Sequence, residues 1–282
     1  MDLRHVFTQL KRWNVYKVAV ASAVIAGSAL PCPLDASAAP RPRSDGTIAA
    51  ITAIAEAEMK EQQIPGLALV VMKRDEVMLA RGFGREDLAR DDPVTEQTVF
   101  GLGSIAKQFV AALVLQLAEE GRLSVDDSVA QHLPEFTQVP PELKIRHLLS
   151  HTSGMREEFV QDDLRELFDK PGTTFAEYVA AASDAPCDWP PGSRWSYGNI
   201  NYLMLTVIVE RVLRQPLEEA LDLRVFAPLD LRSMRLCSDQ PGDAQGQARG
   251  YVLHDRTLLP HPRENVALFR GSGGFCGSAV DL

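Results

Sequence analysis

The stretch Phe100-Gly101-Leu102-Gly103-Ser104-Ile105-Ala106-Lys107 constrains this chain more than any other. Two glycines permit a tight backbone turn. Phe109, Val110, Leu113, Val114 and Leu117 then recur at helical spacing until Gly121. A turn feeding a helix puts Ser104 at the helix N-terminus, where free N–H groups and the helix dipole favour developing negative charge. Lys107 follows three residues later, on the same helix face. A serine hydroxyl is a weak nucleophile at neutral pH until a neighbouring group takes its proton, and a lysine so placed can do that. The same residues also suit an N-capping serine beside a solvated lysine, so the rest of the chain has to decide.

Around this stretch the pattern alternates between short strands and helices. Ile48, Ile51, Ala55 and Met59 have helical spacing between a Ser44 or Asp45 cap and a Pro65-Gly66 stop. Residues 67–73 and 76–83 are rich in Val, Leu and Ala and read as a β-hairpin, although its turn, Arg74-Asp75, lacks the glycine that tight hairpins prefer. Residues 157–185 read as an amphipathic helical stretch with an acidic, solvated outer face. A strongly apolar helix covers 202–213, Pro216 opens another over 217–226, and the last 40 or so residues read as loop and short strand.

Composition sets bounds. The 282 residues are 45% hydrophobic and 24% charged, enough for one large domain or two small ones. A net charge of -9, with no basic stripe beyond the first 17 residues, argues against a nucleic-acid partner. Those 17 residues carry Arg4, Lys11, Arg12 and Lys17, followed by a 13-residue apolar run over 18–30 and by Ala36-Ser37-Ala38. That order reads as an export signal cleaved near Ala38. The competing reading, an uncleaved anchor, has a run shorter than the ~20 residues a spanning helix needs. Export predicts a periplasmic or secreted protein without stable membrane insertion. Beyond Cys32 the cysteines are Cys187, Cys237 and Cys276, and neither they nor the six scattered histidines show ligand spacing. No metal or cofactor is expected, and the cysteine pairing and oligomeric state stay open.

A second cluster lies far along the chain. Tyr197 and Asn199 precede an apolar helix in an extended segment, where alternate side chains point the same way. A phenolate beside a lysine ammonium has its pKa lowered and can pass a proton from a serine to a leaving group. A carboxamide can hold a substrate amide or orient the lysine. Packing for the tyrosine and helix capping for the asparagine are the plainer readings. His151, alone in a Ser/Thr/Gly turn, reads as a hydrogen-bonded structural residue rather than as a partner of Ser104.

Taken in order, Ser104-Ile-Ala-Lys107, Arg146-His147-Leu148-Leu149-Ser150-His151-Thr152-Ser153-Gly154 and Tyr197-Gly-Asn199 resemble the signature segments of the serine β-lactamase-related family. That family holds class C-type β-lactamases, penicillin-binding DD-peptidases, esterases and D-aminopeptidases. Ile64-Pro65-Gly66, Gly82-Phe83-Gly84, Glu120-Gly121-Arg122-Leu123 and the C-terminal Gly273-Gly274-Phe275 agree as well, so the likeness runs from about Ile48 to Leu282. The resemblance implies an exported serine hydrolase forming an acyl-enzyme with an ester, a β-lactam or a D-amino-acid amide. Ser104 would be the nucleophile, Lys107 its base or electrostatic partner, Tyr197 the proton shuttle and Asn199 the substrate-binding amide. It also implies an α+β fold, an antiparallel sheet flanked by helices with a mostly helical inserted region. After a signal over 1–38, the domain would fill 39–282, with a sheet region over 39–97 and 236–282 and a helical region over 98–235. Family members carry a third element, Lys-Thr-Gly or His-x-Gly, on a strand beyond the glycine-rich segment, and this sequence ends before one. The alternative expectation is therefore a truncated, catalytically weak or inactive penicillin-binding-like chain with its C-terminal strands missing.

Overall fold

A computed structural model describes residues 18–24, 45–73, 76–156, 164, 166–167, 170, 172–183, 187–237, 246–261 and 268–282. The cleavage site near Ala38, Cys32, the Arg74-Asp75 turn and much of the helical stretch expected over 157–185 lie outside these residues. In chain order the elements begin with β1 (Val18–Val24), α1 (Asp45–Gln62), β2 (Gly66–Lys73) and β3 (Glu76–Gly84). Strand β4 (Val99–Gly101) leads through a 3₁₀ turn (Gly103–Ile105) into α2 (Ala106–Glu119), followed by the short helices α3 (Val129–His132) and α4 (Ile145–Leu149). Next come α5 (Phe175–Ser183), α6 (Ile200–Leu213) and α7 (Leu217–Leu221), which runs on into a π-helical turn (Asp222–Phe226). The chain then forms β5 (Arg235–Leu236), the hairpin β6 (Tyr251–His254) and β7 (Thr257–Pro260), a one-turn helix α8 (Arg270–Gly273) and β8 (Phe275–Ser278).

These elements fall into two compact units. One takes Met1–Phe100, Pro241–Pro262 and Gly277–Leu282, the other Gly101–Gln240 and Arg263–Cys276. The C-terminal stretch that the sequence reading gives whole to the sheet region is thus divided, Arg263–Cys276 going with the helices. Mixed helices and small antiparallel pairings make this an α+β fold.

In the first unit β2 is the centre. Its apolar run leaves no polar face, and residues 66–71 are buried, between β1 on one edge and β3 on the other. Leu67, Leu69 and Val71 pack with Ile51, Ala55 and Phe83, while Ala68 and Val70 join Val94, Phe100 and Ala279 on the opposite face. The hairpin expected from the sequence forms antiparallel from Gly66↔Gly84 to Lys73↔Glu76, with a bulge at Val71/Met72. Gly84 closes its base with φ +72°, and a Cβ there would stand 2.1 Å from the Pro65 carbonyl oxygen. The run read as an export signal supplies β1, parallel to β2 from Val18↔Gly66 to Val24↔Met72.

The second unit is built on α6. Nine residues of this helix, from Ile200 to Val209, are buried, so it is apolar nearly all round and packs against α2, α4, α5, α7 and α8. Helix α2 meets it with the stripe read from the sequence, and its Val110, Leu113, Val114 and Leu117 are fully enclosed. Each fully buried leucine contributes about 1.5–3 kcal/mol. Phe226 stacks edge-on to Phe109 at 5.4 Å and to Phe275 at 5.8 Å, tying the π-helical turn to α2 and β8. The helix expected over 217–226 is therefore not uniform: five residues are α-helical and the next five relax into a wider turn that seats Phe226.

A disulfide joins Cys237 to Cys276 across the β5–β8 pair, and Cys187 remains a thiol. Closing a loop between residues 39 apart in sequence stabilises by roughly 3–4 kcal/mol in the chain-entropy account. Replacing both cysteines by serine is expected to lower the urea midpoint accordingly. A midpoint unchanged between oxidised and reduced protein would contradict that contribution.

Candidate active site

Gly103 adopts φ +53° with open space where a Cβ would project. That left-handed turn ends the strand direction and starts the 3₁₀ turn carrying Ser104, which passes directly into α2. Ser104 is exposed, and Lys107, one turn on, is 6% exposed. The solvated-lysine reading is thereby excluded. A buried ammonium needs several acceptors to offset its lost hydration, and the chain supplies them from three distant segments. Lys107 Nζ lies 3.1 Å from Ser104 Oγ, donates to Asn199 Oδ1 at 2.7 Å and donates to the Ser272 carbonyl at 2.5 Å.

Two of those acceptors are carbonyl oxygens, which cannot donate in return. They fix two N–H directions of Lys107, and a further tetrahedral direction faces Ser104 Oγ. As an ammonium, Lys107 donates to the serine; as an amine, it presents a lone pair there. Tyr197 completes the group. Its hydroxyl is 2.5 Å from Ser104 Oγ and donates to Asn199 Oδ1 at 3.4 Å, and Lys107 Nζ sits 4.8 Å from its ring centroid. All four residues singled out from the sequence thus meet at one place. Asn199 occupies the cap position of α6 but makes no side-chain capping bond there, its Oδ1 being turned to Lys107.

The Ser272 carbonyl carries no side-chain signal and is invisible to a search for reactive residue types. It is held by α8: Ser272 N–H and Oγ both donate to Phe269 O at 2.7 Å, and Arg270 pairs with Glu210 of α6 and Glu218 near the start of α7. Gly271 brings this turn against α6, since a Cβ there would lie 2.3 Å from Thr206 Oγ1. Burial raises the Glu210 carboxyl above its usual range, against the pull of the Leu217 N–H and Arg270.

His151 is the other residue whose place matters. Its ring lies 4.6 Å from that of Tyr197 and 5.3 Å from that of Tyr202, and its Nδ1 accepts from Gly198 N–H at 3.3 Å and Asn201 Nδ2 at 3.2 Å. It contacts the tyrosine rather than the serine, in keeping with a hydrogen-bonded structural histidine. Burial, and then the Lys107 charge, lower its pKa to about 4. Among the described residues, no group of three His, Cys, Asp or Glu could hold a metal ion, and no helix is long and apolar enough to cross a membrane.

The His151 shift makes a pH prediction. Its folded value lies below the ordinary 6.5, so the folded state favours neutral imidazole. The unfolded chain takes up a proton that the folded chain refuses as pH falls from 6.5 to about 4, and stability drops across that window by up to about 1.4 kcal/mol per pH unit from this group. Above 6.5 its contribution is complete. Urea midpoints measured from pH 7.5 to 4 are expected to show this slope, and His151→Asn to lack it; equal slopes would refute the assignment.

Known proteins share the arrangement of the chain. It is 28% identical over 267 residues to the esterase EstB of Burkholderia gladioli, the match covering 83% of this chain and 68% of that protein. The structure of the octameric penicillin-binding protein homologue from Pyrococcus abyssi superposes with a TM-score of 0.74 at 27% identity, over 83% of this chain and 54% of that one. A D-stereospecific amidohydrolase from Streptomyces gives 0.57 at 26% identity, over 66% and 58% respectively. This chain thus spans between about half and two thirds of the length of these relatives. The Beta-lactamase family model matches residues 51–282, which include every residue of the site just described; the chain belongs to the beta-lactamase family.

Proposed function

We propose that the protein is a serine hydrolase that works through an acyl-enzyme on Ser104. The observation carrying this reading is the 2.5 Å approach of Tyr197 OH to Ser104 Oγ beside Lys107 Nζ at 3.1 Å. An adjacent cation favours the tyrosine phenolate. The phenolate takes the Ser104 proton as Oγ attacks the acyl carbon, and the C–O bond to serine forms. The phenol then gives that proton to the leaving oxygen or nitrogen as its bond to the acyl carbon breaks. A water enters, surrenders a proton to the same phenolate and adds to the acyl carbon; the proton returns to Ser104 as the ester is released. Lys107 holds its charge beside both oxygens throughout. Asn199 orients Lys107 through Oδ1 and is the group assigned to a substrate amide.

The likeness to EstB supports an ester substrate, and the likeness to the penicillin-binding protein homologue and the D-stereospecific amidohydrolase supports β-lactams and D-amino-acid amides. The common chemistry is acyl transfer from a small molecule or peptide, and it calls for no cofactor. Export belongs to the same proposal. The basic, apolar and small-residue order of the first 38 residues supports it. Cleavage near Ala38 would remove two acidic and four basic residues, taking the net charge from -9 to -11.

Intact-mass spectrometry tests the chemistry directly. Exposure to an activated ester and to a slowly hydrolysed β-lactam is expected to add one acyl mass, absent in Ser104→Ala. Tyr197→Phe is expected to slow acylation by about 10²–10⁴-fold. Adduct formation that survives in Ser104→Ala would sink the assignment. A permanent adduct would favour the penicillin-binding-like alternative, acylated without turnover. The unexposed mass reports cleavage, expected to leave a chain beginning at Ala39 or close to it. Melting the processed and unprocessed forms side by side then measures what β1 adds to the sheet.

A further inference from the structure

The geometry points to His151 as the residue that positions the Tyr197 phenol on Ser104. The inference rests on the reading in which Tyr197 moves the Ser104 proton. Three contacts made by this one residue carry it. The His151 carbonyl accepts from Ser196 N–H at 2.9 Å, on the N-terminal side of Tyr197. Its ring Nδ1 accepts from Gly198 N–H at 3.3 Å, on the C-terminal side. Between these two anchors the imidazole plane lies 4.6 Å from the phenol ring, tilted by 32°. The Trp195–Ser196 and Tyr197–Gly198 peptide units, and the ring between them, are thus gripped by a single residue 46 positions before Tyr197 in the chain.

His151 is itself held in a conformation that few residues adopt. Its φ is +56°, in the left-handed region that disfavours side chains other than those of Asn, Asp and His. That turn, just after α4, aims carbonyl and ring at the same segment. Nδ1 also accepts from Asn201 Nδ2 at 3.2 Å, and Asn201, 1% exposed, donates in turn to Gly198 O at 3.0 Å. With two N–H groups directed at it, Nδ1 is unprotonated and the ring proton is on Nε2. The grip therefore needs an acceptor at the Nδ1 position together with left-handed backbone, which separates His151 from an ordinary packing residue. A packing role would be met by any flat ring of similar size.

Two substitutions divide these requirements. His151→Phe keeps a stacking ring and loses the acceptor; His151→Asn keeps an acceptor and tolerates the left-handed turn. Acylation by a p-nitrophenyl ester is expected to fall about 10²-fold in His151→Phe, with KM within about threefold of the parent, and to recover to within about fivefold in His151→Asn. Melting temperatures of the folded variants control for stability. His151→Ala, which leaves room for free imidazole, serves if the phenylalanine variant does not fold, with added imidazole expected to restore rate. Equal acylation rates in parent and His151→Phe would overturn the inference and leave the acyl-enzyme reading intact.

A parent chain that forms no adduct would instead count against that reading. The ¹³Cζ resonance of Tyr197, identified by its loss in Tyr197→Phe, then decides without turnover. Displacement or broadening in His151→Phe, restored in His151→Asn, supports the positioning role. An unmoved resonance in His151→Phe overturns it.

Discussion

A buried lysine must be satisfied or it will not stay charged, and in this protein that requirement organises the second unit. Lys107 has 6% of its surface exposed and draws on Ser104, Asn199 and Ser272. Each acceptor comes from a different element: the turn before α2, the cap of α6 and the one-turn helix α8. Bringing the three together is what α6, enclosed on nearly all sides, accomplishes by packing against α2 and α8 at once. The hydrophobic burial drives the assembly, and the polar centre fixes its register, since an unmet N–H or a misplaced carbonyl in such a setting costs about 1–3 kcal/mol.

The same arrangement separates two environments that the proposed acyl-enzyme chemistry would use. Ser104 is exposed and Tyr197 half-buried, whereas Lys107 and Asn199 are buried beside them. The lysine charge beside the two hydroxyls is thereby shielded from water, where its effect would be screened.

Much of this was legible beforehand because it is written in local patterns. The stripe Phe109, Val110, Leu113, Val114, Leu117 specifies α2, and the unbroken apolar run of β2 specifies a strand buried on both faces, whereas the fold class comes from the resemblance of the motif segments to a known family. Ser104, Lys107, Tyr197 and Asn199 stood out through residue type and spacing. What stayed hidden depends on long-range placement. The Ser272 carbonyl has no residue-type signature, the Cys237–Cys276 pairing was one of three possible among three cysteines, and the break at Asp222 that turns one expected helix into two forms comes from seating Phe226. His151 was readable as structural, but the segment it structures became visible only with the left-handed backbone that aims its two acceptors.

The hydrogen bond from Lys107 to Ser272 spans 165 positions of sequence. A contact of that separation forms only after the intervening segment has been made and its loop closed, because loop closure must precede any reward from it. The lysine is synthesised 165 positions ahead of the carbonyl that completes its shell of acceptors. The Ser-x-x-Lys spacing therefore does not make the site by itself: the lysine is satisfied only once a carbonyl from a distant turn has been brought to it.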